Sequence, residues 1–320
     1  MVVPRNGLGN RLQAWASAAT LARTWQAPLD LLWEPQPAGP NTFDQLFNDL
    51  PHTFGVDQQL VASSDLEAVL GADHNSLPRY LTADGDRKVI FLAGHERGEQ
   101  AFMPRLEDLV RNLDGSWSLV VVAGGLFHID SSDGFSGSRR EFYRSLQWSN
   151  QIQDLAASVR PSEPYSGLHI RHTDRSREAP RSSDIRAALG QLRASNAPES
   201  LFIAADTKEA RLEWANVAGS LGFRPWSVPQ VELTRSAPKA GISAAVDWLL
   251  LSDAQGLVYP RASTFSAEAA VAGGGHGIAL SASRTVMSTR SALNHARNAW
   301  NFPRRLWQSI EASAQGSNPS

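Results

Sequence analysis

Three features of the sequence predict an α/β chain of two doubly wound halves. Strand-like apolar runs alternate with helical stretches from residue 166 to residue 281. Repeated β-then-α of that length builds a parallel sheet covered by helices. A further strand–turn–helix–strand unit opens the chain, running from Val2-Val3 through a glycine turn to Leu29–Trp33. The third feature is length, since 320 residues can bury two cores. Pro161-Ser162-Glu163-Pro164 is the best linker between them. The expected boundaries are 1–160, 161–290, and a final helix with a tail over 291–320.

In the first half, Val2 and Val3 lead into Pro4-Arg5-Asn6-Gly7-Leu8-Gly9-Asn10-Arg11. Leu12, Trp15, Ala16 and Ala19 then recur at helical spacing. Gly7 and Gly9 would let the N–H groups at the helix start approach an anion closely. The strand stub before Pro4 is so short that an upstream start codon is one reading. Residues 34–88, punctuated by Pro35, Pro37, Pro40, Pro51 and Pro78, read as irregular and suit an acceptor-binding surface. Lys88–Ala93 and Ser118–Ala123 read as buried strands. Ser138–Val159 reads as amphipathic helix, with Phe142, Leu146, Ile152, Leu155 and Val159 inward.

In the second half, Gly167-Leu168-His169-Ile170-Arg171-His172-Thr173-Asp174-Arg175 is a buried strand that breaks into polar groups at its C-terminal end. Open α/β sheets place their ligands at such ends. Two guanidiniums beside a carboxylate there suit an anion held by charge-assisted bonds. A helix opens at Ser182-Ser183-Asp184, read as its N-cap. Strand Ser200–Ala205 ends at Asp206, and a helix follows from Thr207. Short strand Phe223–Val228, helix Ile242–Ala254, strand Gly256–Tyr259, helix Phe265–Ala272 and strand Gly277–Ser281 complete the alternation. A last helix is expected over Arg290–Ala312.

Composition narrows the function classes. The apolar fraction of 42% and charged fraction of 19% belong to an ordinary globular protein. A net charge of −2 and a pI near 6.5 offer no global field for nucleic acid or an anionic membrane, so any anion site must be local. The absence of cysteine removes disulfides, thiolate metal sites and a Cys nucleophile. Of the 30 basic residues, Lys88, Lys208 and Lys239 are the lysines and the rest are arginine, which reads as a high-GC bacterial genome. No stretch of sequence is apolar enough to span a bilayer, so a cytoplasmic protein, or one peripheral to a membrane, is expected.

Four stretches fall at or near strand C-terminal ends: Gly7–Arg11, His169–Arg175, Asp206-Thr207 and Pro260–Ser266. The last offers the hydroxyls of Ser263, Thr264 and Ser266 at a helix N-terminus, suited to phosphate. Upstream, Asp247 is the lone carboxylate on an apolar helix. Each signal alone has a plain structural reading as a turn, a cap or an ion pair. Together and in this order they say more.

The combination resembles the GDP-fucose-dependent fucosyltransferase superfamily, which includes the nodulation, α1,6, α1,2 and protein O-fucosyltransferases. Gly7-Leu8-Gly9-Asn10-Arg11-Leu12 matches its N-terminal glycine motif, and Phe142-Tyr143-Arg144-Ser145-Leu146 precedes the central motif as in several relatives. His169-Ile170-Arg171-His172-Thr173-Asp174 is similar to its His-x-Arg-Arg-x-Asp signature. Ala204-Ala205-Asp206-Thr207 sits at the strand-ending Thr-Asp or Ser-Asp, and Asp247–Ser252 with Ser263-Thr264-Phe265-Ser266 matches its late elements.

The resemblance implies a GT-B-like architecture, two Rossmann-like domains facing a cleft, with the nucleotide on the C-terminal one. It implies inverting, metal-independent transfer of fucose from GDP-fucose to a hydroxyl of a glycan or small-molecule acceptor, with no cofactor. The donor would be held by Gly7, Gly9, Asn10, Arg11, His169, Arg171, His172, Asp206, Asp247, Ser263, Thr264, Phe265 and Ser266. Arg171, Asp174 and Glu178 would carry the chemistry. Arg171 would stabilise the charge on departing GDP, Asp174 would orient Arg171 or touch a substrate, and Glu178 would be the base, with His172 its rival. Asp206 would contact base or ribose, or cap the following helix. Asp84-Gly85-Asp86 is not read as a metal site. The second signature arginine is His172 here. That leaves Arg171 alone on the phosphates, brings Arg175 or Arg177 into reach, or points to another nucleotide sugar or to a protein that binds without catalysis. A P-loop-type kinase or sulfotransferase is a third reading, weaker because Gly7–Arg11 lacks the P-loop lysine and hydroxyl.

Overall fold

The two halves each build a five-stranded, wholly parallel sheet. The computed structural model describes residues 1–36, 39–52, 55–65, 89–94, 118–127, 137–171, 180–229, 237, 239–274 and 276–281. The expected helix over Arg290–Ala312 lies outside them, as do Asp84–Asp86.

The first sheet starts with β1 (Val2–Pro4), whose residues are all buried. Helix α1 (Leu8–Trp25) follows, and its alanines let neighbours close in on nearly every side, so that Leu8, Gly9 and Arg11–Ala22 are buried. It stops at Gln26, which turns left-handed (φ 52°) and returns its N–H to the Ala22 and Arg23 carbonyls. Strand β2 (Leu29–Leu31) lies beside β1. The stretch read as irregular contains short α2 (Phe43–Leu46), β3 (Phe47–Asp49) and β4 (Gln58–Leu60), and β4 is the edge strand beside β2. With β5 (Val89–Gly94) and β6 (Ser118–Ala123), the order is β4-β2-β1-β6-β5.

The predicted helix over Ser138–Val159 is two helices, α3 (Gly137–Arg144) and α4 (Asn150–Val159). Between them Gln147–Trp148 forms β7, antiparallel to β3. The Ser145 hydroxyl donates to the Phe142 carbonyl at 2.7 Å, and Trp148 turns inward against Phe47 and Trp248. The break also rotates the apolar face. Phe142, Leu146 and Ile152 are buried as expected, while Leu155 is 43% exposed.

The second sheet is built from β8 (Ser166–Ile170), α5 (Ser182–Ala194), β9 (Ser200–Ala205), α6 (Lys208–Ser220), β10 (Arg224–Trp226), α7 (Ala240–Ser252), β11 (Gly256–Pro260), α8 (Thr264–Gly273) and β12 (His276–Leu280). Its order is β10-β9-β8-β11-β12. Ser182–Asp184 do not cap α5 but form its first turn after Arg181, where the Asp184 charge meets the helix dipole favourably. Thr207 caps α6, its hydroxyl accepting from Ala210 N–H at 3.1 Å. The capping alternative for Asp206 is thereby filled by its neighbour.

In both sheets the chain runs outward from a central strand and then returns to that strand's other side. The reversal points lie between β1 and β6 and between β8 and β11. Helices α1, α3, α7 and α8 pack into one continuous apolar core that spans both halves. At its centre Trp15 meets Trp33, Phe43, Phe47 and Phe142 edge-on at 5.2–5.9 Å, and Trp15 Nε1 donates to Gln58 Oε1 at 2.9 Å. Among the described residues, no helix is long and apolar enough to cross a membrane.

Candidate functional site

The reversal points of the two sheets open on one cavity of about 340 Å³, the place where open α/β sheets bind ligands. Gly7, Leu8, Gly9, Asn10 and Arg11 wall it from the first half. His169 and Arg171 at the end of β8, and Ser263, Thr264 and Phe265 at the start of α8, wall it from the second. Asp206 and Asp247 complete the lining among the residues expected from the sequence. Ser266 does not line the cavity; it is buried behind the wall, hydrogen-bonded to His169. His172, Asp174 and Glu178 lie outside the described residues.

Three helices aim their N-termini at this cavity: α1, α7 and α8. The first-turn N–H groups of a helix have no partner within it and carry the positive end of its dipole. In all three the N-cap residue (Gly7, Lys239 or Ser263) makes no side-chain capping bond, and the first turn holds no acid. Helices α5 and α6, by contrast, carry Asp184 and Glu209 there. Helix α7 begins two residues before the expected start at Ile242, and this brings its first turn to the cavity. Gly241 ahead of the apolar run is the signal for it in the sequence. Gly241 is also a contact between the halves, since a Cβ on it would lie 2.0 Å from Asn41 Oδ1.

The side chains divide into those that face a ligand and those that hold the wall. Arg11 holds the wall. It is 1% exposed and lies 3.5 Å over the Trp33 ring. Its Nη1 donates to Gly39 O at 3.3 Å and its Nη2 to Glu34 O at 3.0 Å. Burial lowers its pKa to about 9, which leaves it cationic at neutral pH. The Trp33 face is therefore taken, and Trp226 packs on Tyr165 and Phe202. Gly9 also serves packing. A Cβ there would lie 2.6 Å from Phe265 N and Cα, and α1 and α8 touch backbone to backbone. Beside it the Thr264 hydroxyl donates to Asn10 Oδ1 at 2.5 Å. The N-terminal glycine motif thus clasps the Ser-Thr-Phe segment. Gly9→Ala is expected to cost about 1–3 kcal/mol of unfolding free energy by overpacking, readable by denaturant titration; an unchanged midpoint would mean that the helices can part freely.

His169 Nδ1 shares a hydrogen bond with Ser266 Oγ at 2.8 Å, and its ring packs on Phe265. Burial, with the Arg171 charge adding to it, lowers its pKa to about 3. It is a neutral ring at physiological pH, neither cation nor effective base. Asp247 pairs with Arg211 (Oδ2 to Nη2, 2.6 Å) in a buried contact. Its Oδ1 is buried without a partner. The Ser263 hydroxyl, on a residue 1% exposed, is likewise unpartnered. Both residues line the cavity, and a buried polar atom left unpaired is costly until a ligand satisfies it. The site is therefore suited to a ligand with an anionic end at the helix N-termini and N–H donors at Asp247.

No protein-family model and no curated protein matches the chain. Solved structures share its fold. The fucosyltransferase NodZ from Bradyrhizobium is 18% identical with a TM-score of 0.53, over 84% of this chain and 91% of that one. The Arabidopsis thaliana FUT1 mutant R284K in complex with GDP is 15% identical with a TM-score of 0.59, over 86% and 68%. POFUT1 in complex with GDP-fucose is 13% identical with a TM-score of 0.51, over 88% and 96%. The chain thus has the two-sheet GT-B fold of the fucosyltransferases it resembles.

Proposed function

We propose that this chain is a glycosyltransferase that moves fucose from GDP-fucose to a hydroxyl of a glycan or small-molecule acceptor. The observation that carries the reading is the meeting of three N-termini without side-chain caps, Arg171 and the unpartnered Ser263 hydroxyl on one cavity. Fixed N–H dipoles and a guanidinium stabilise a diphosphate and the charge that grows on it as the glycosidic bond breaks. That arrangement supports transfer that is independent of a metal. The sugar's identity rests on the motif resemblance and on the fold shared with proteins solved with GDP or GDP-fucose.

In this reading Arg171 and the first turns of α1 and α8 hold the diphosphate. Asp247 and Asp206 face the nucleoside, with Asp247 Oδ1 accepting from the base. Inversion follows if the acceptor oxygen attacks opposite the departing GDP. Glu178 is assigned as the base that takes the acceptor's proton, and Asp174 as the residue that orients Arg171, both on the resemblance alone. The chain acts in the cytoplasm or at a membrane surface.

The test is a panel of GDP-fucose, GDP-mannose, UDP-sugars and ADP-sugars, read by thermal shift and nucleotide release. Selective stabilisation by GDP, with GDP released from GDP-fucose, supports the reading. Binding of GDP without release on a broad acceptor panel supports the second reading, a nucleotide-binding protein without catalysis, which His172 in place of the signature arginine favours. No response to GDP or GDP-fucose overturns the donor.

Asp247 supplies a pH test. Burial pushes its carboxyl up to about 6, against the pull of Arg211. A carboxyl raised in this way adds stability that is complete below its unfolded pKa of ~4 and lost as pH rises through the folded value. His169, lowered instead, adds stability that is present above ~6.5 and lost as pH falls toward its folded value. The two oppose each other between those limits, so melting curves alone do not isolate Asp247. Nucleotide binding does. GDP affinity is expected to fall about tenfold per pH unit below 6, and Asp247→Asn to lose that step. A flat profile in the unaltered chain would remove Asp247 from the donor contacts.

A further inference from the structure

Behind the cavity wall lies a buried carboxylate that the proposed reaction does not use. Glu268 is 2% exposed and sits on α8, one turn past Thr264. Three groups donate to it. Arg139 Nη1 reaches both oxygens at 2.7 Å, the Tyr143 hydroxyl reaches Oε2 at 2.8 Å, and Gln13 Nε2 reaches Oε1 at 2.6 Å. Arg139 and Tyr143 belong to α3, which aims no N-terminus at the cavity. Gln13 belongs to α1, which does.

The contacts between α1 and α8 form a seam: Gly9 against Phe265, Asn10 against Thr264, then Gln13 against Glu268 one turn deeper. The two helices leave the cavity in the same sense. Their positive ends lie side by side, an arrangement their dipoles oppose in the absence of an anion. Something must set the gap between them. The Gly9–Phe265 contact sets a lower limit by sterics alone. The Asn10–Thr264 bond lies at the cavity edge. The Gln13–Glu268 bond is buried and charge-assisted, and it joins the two helices directly.

We propose that Gln13 is a positioning residue for the anion site. By gripping Glu268 it fixes the spacing of the α1 and α8 N-termini, and so tunes affinity for the diphosphate end of a ligand without touching it. The inference rests on the nucleotide-diphosphate reading of the cavity. Removing this one donor leaves Glu268 held by Arg139 and Tyr143, so the carboxylate stays satisfied while the seam loosens.

Three probes and two variants test it by calorimetry: GDP, guanosine and inorganic pyrophosphate on the unaltered chain, on Gln13→Met and on Tyr143→Phe. Gln13→Met keeps the side-chain volume and removes the donor, and is expected to weaken GDP and pyrophosphate about tenfold while leaving guanosine unchanged. Tyr143→Phe removes a donor to the same carboxylate from α3, and is expected to lower the melting temperature without changing GDP affinity. Gln13→Asn, too short to reach Glu268, repeats the comparison if the first variant folds poorly. Unchanged GDP binding in the Gln13 variants overturns the inference. So does a loss shared equally by guanosine, or by Tyr143→Phe, since either is what a merely structural role gives. An unaltered chain that binds pyrophosphate but not GDP overturns the donor reading and leaves the inference to the pyrophosphate comparison. One that binds neither overturns both.

Discussion

Arg171→Ala is expected to slow GDP release from GDP-fucose by about a hundredfold, the loss that follows removal of one preorganised donor from a developing oxyanion. Arg171 ends the central strand of the second sheet and lies on the cavity wall beside the α8 N-terminus. Stabilisation that grows with the charge on the leaving group acts on turnover more than on binding. The rate should therefore fall much further than GDP affinity does. Arg171→Lys keeps the charge and loses the planar fork, so partial recovery is expected. Single-turnover rates with saturating GDP-fucose measure both. Arg171→Ala turning over at the original rate would remove the residue from catalysis and direct attention to the helix dipoles alone.

Glu268→Ala is expected to produce the largest loss of stability, about 3–5 kcal/mol, because it breaks a buried ion pair by removing one partner. The side chains of Arg139 and Glu268 are 7% and 3% exposed. Removing the carboxylate takes an ion-pair partner from Arg139 and an acceptor from the Tyr143 hydroxyl and the Gln13 amide. Glu268→Gln keeps the shape and one acceptor and should lose less. Denaturant midpoints at constant slope give the difference. An Ala variant within about 1 kcal/mol of the unaltered chain would mean that water enters and solvates Arg139. Tyr143 shows how closed the cluster is: burial, with the Glu268 charge beside it, raises its hydroxyl pKa well above the ordinary range.

Much of the fold is legible from the sequence because strand and helix periods are local. The alternation from β8 to β12 carries its own signal, and Val2–Val3 with Gly7–Arg11 announces a strand, a turn and a helix start. The failures occur where a tertiary contact overrides the local pattern. Ser138–Val159 has helical periodicity throughout, yet the pairing of β7 with β3 and the burial of Trp148 break it. Residues 34–88 look structureless because β4 is three residues long and its partner β2 lies 27 residues upstream of it. Ser182–Asp184 has capping chemistry, but the chain enters α5 one residue earlier.

The site divides along the same line. Which residues gather at the cavity follows from topology that the sequence implies, since polar groups at strand ends and helix starts meet wherever a parallel sheet reverses. Gly7–Arg11, His169, Arg171, Asp206 and Ser263–Phe265 are residues of this kind, and all line the cavity, as does Asp247 from the middle of α7. What each does there depends on neighbours that are distant in sequence, from 23 residues for Arg11 and Glu34 to 254 for Asn10 and Thr264. Arg11 looks like a phosphate ligand until Trp33 and two carbonyls occupy it, and Gly9 looks like a phosphate glycine until Phe265 is seen against it. Gln13 and Glu268 carry no motif at all. Their bond spans 255 positions of sequence, and only the packing of α1 on α8 makes it. Local periodicity and chemistry determine where the elements and their polar ends lie. Burial and partnering are properties of the folded interior, and they alone decide which polar groups remain for a ligand.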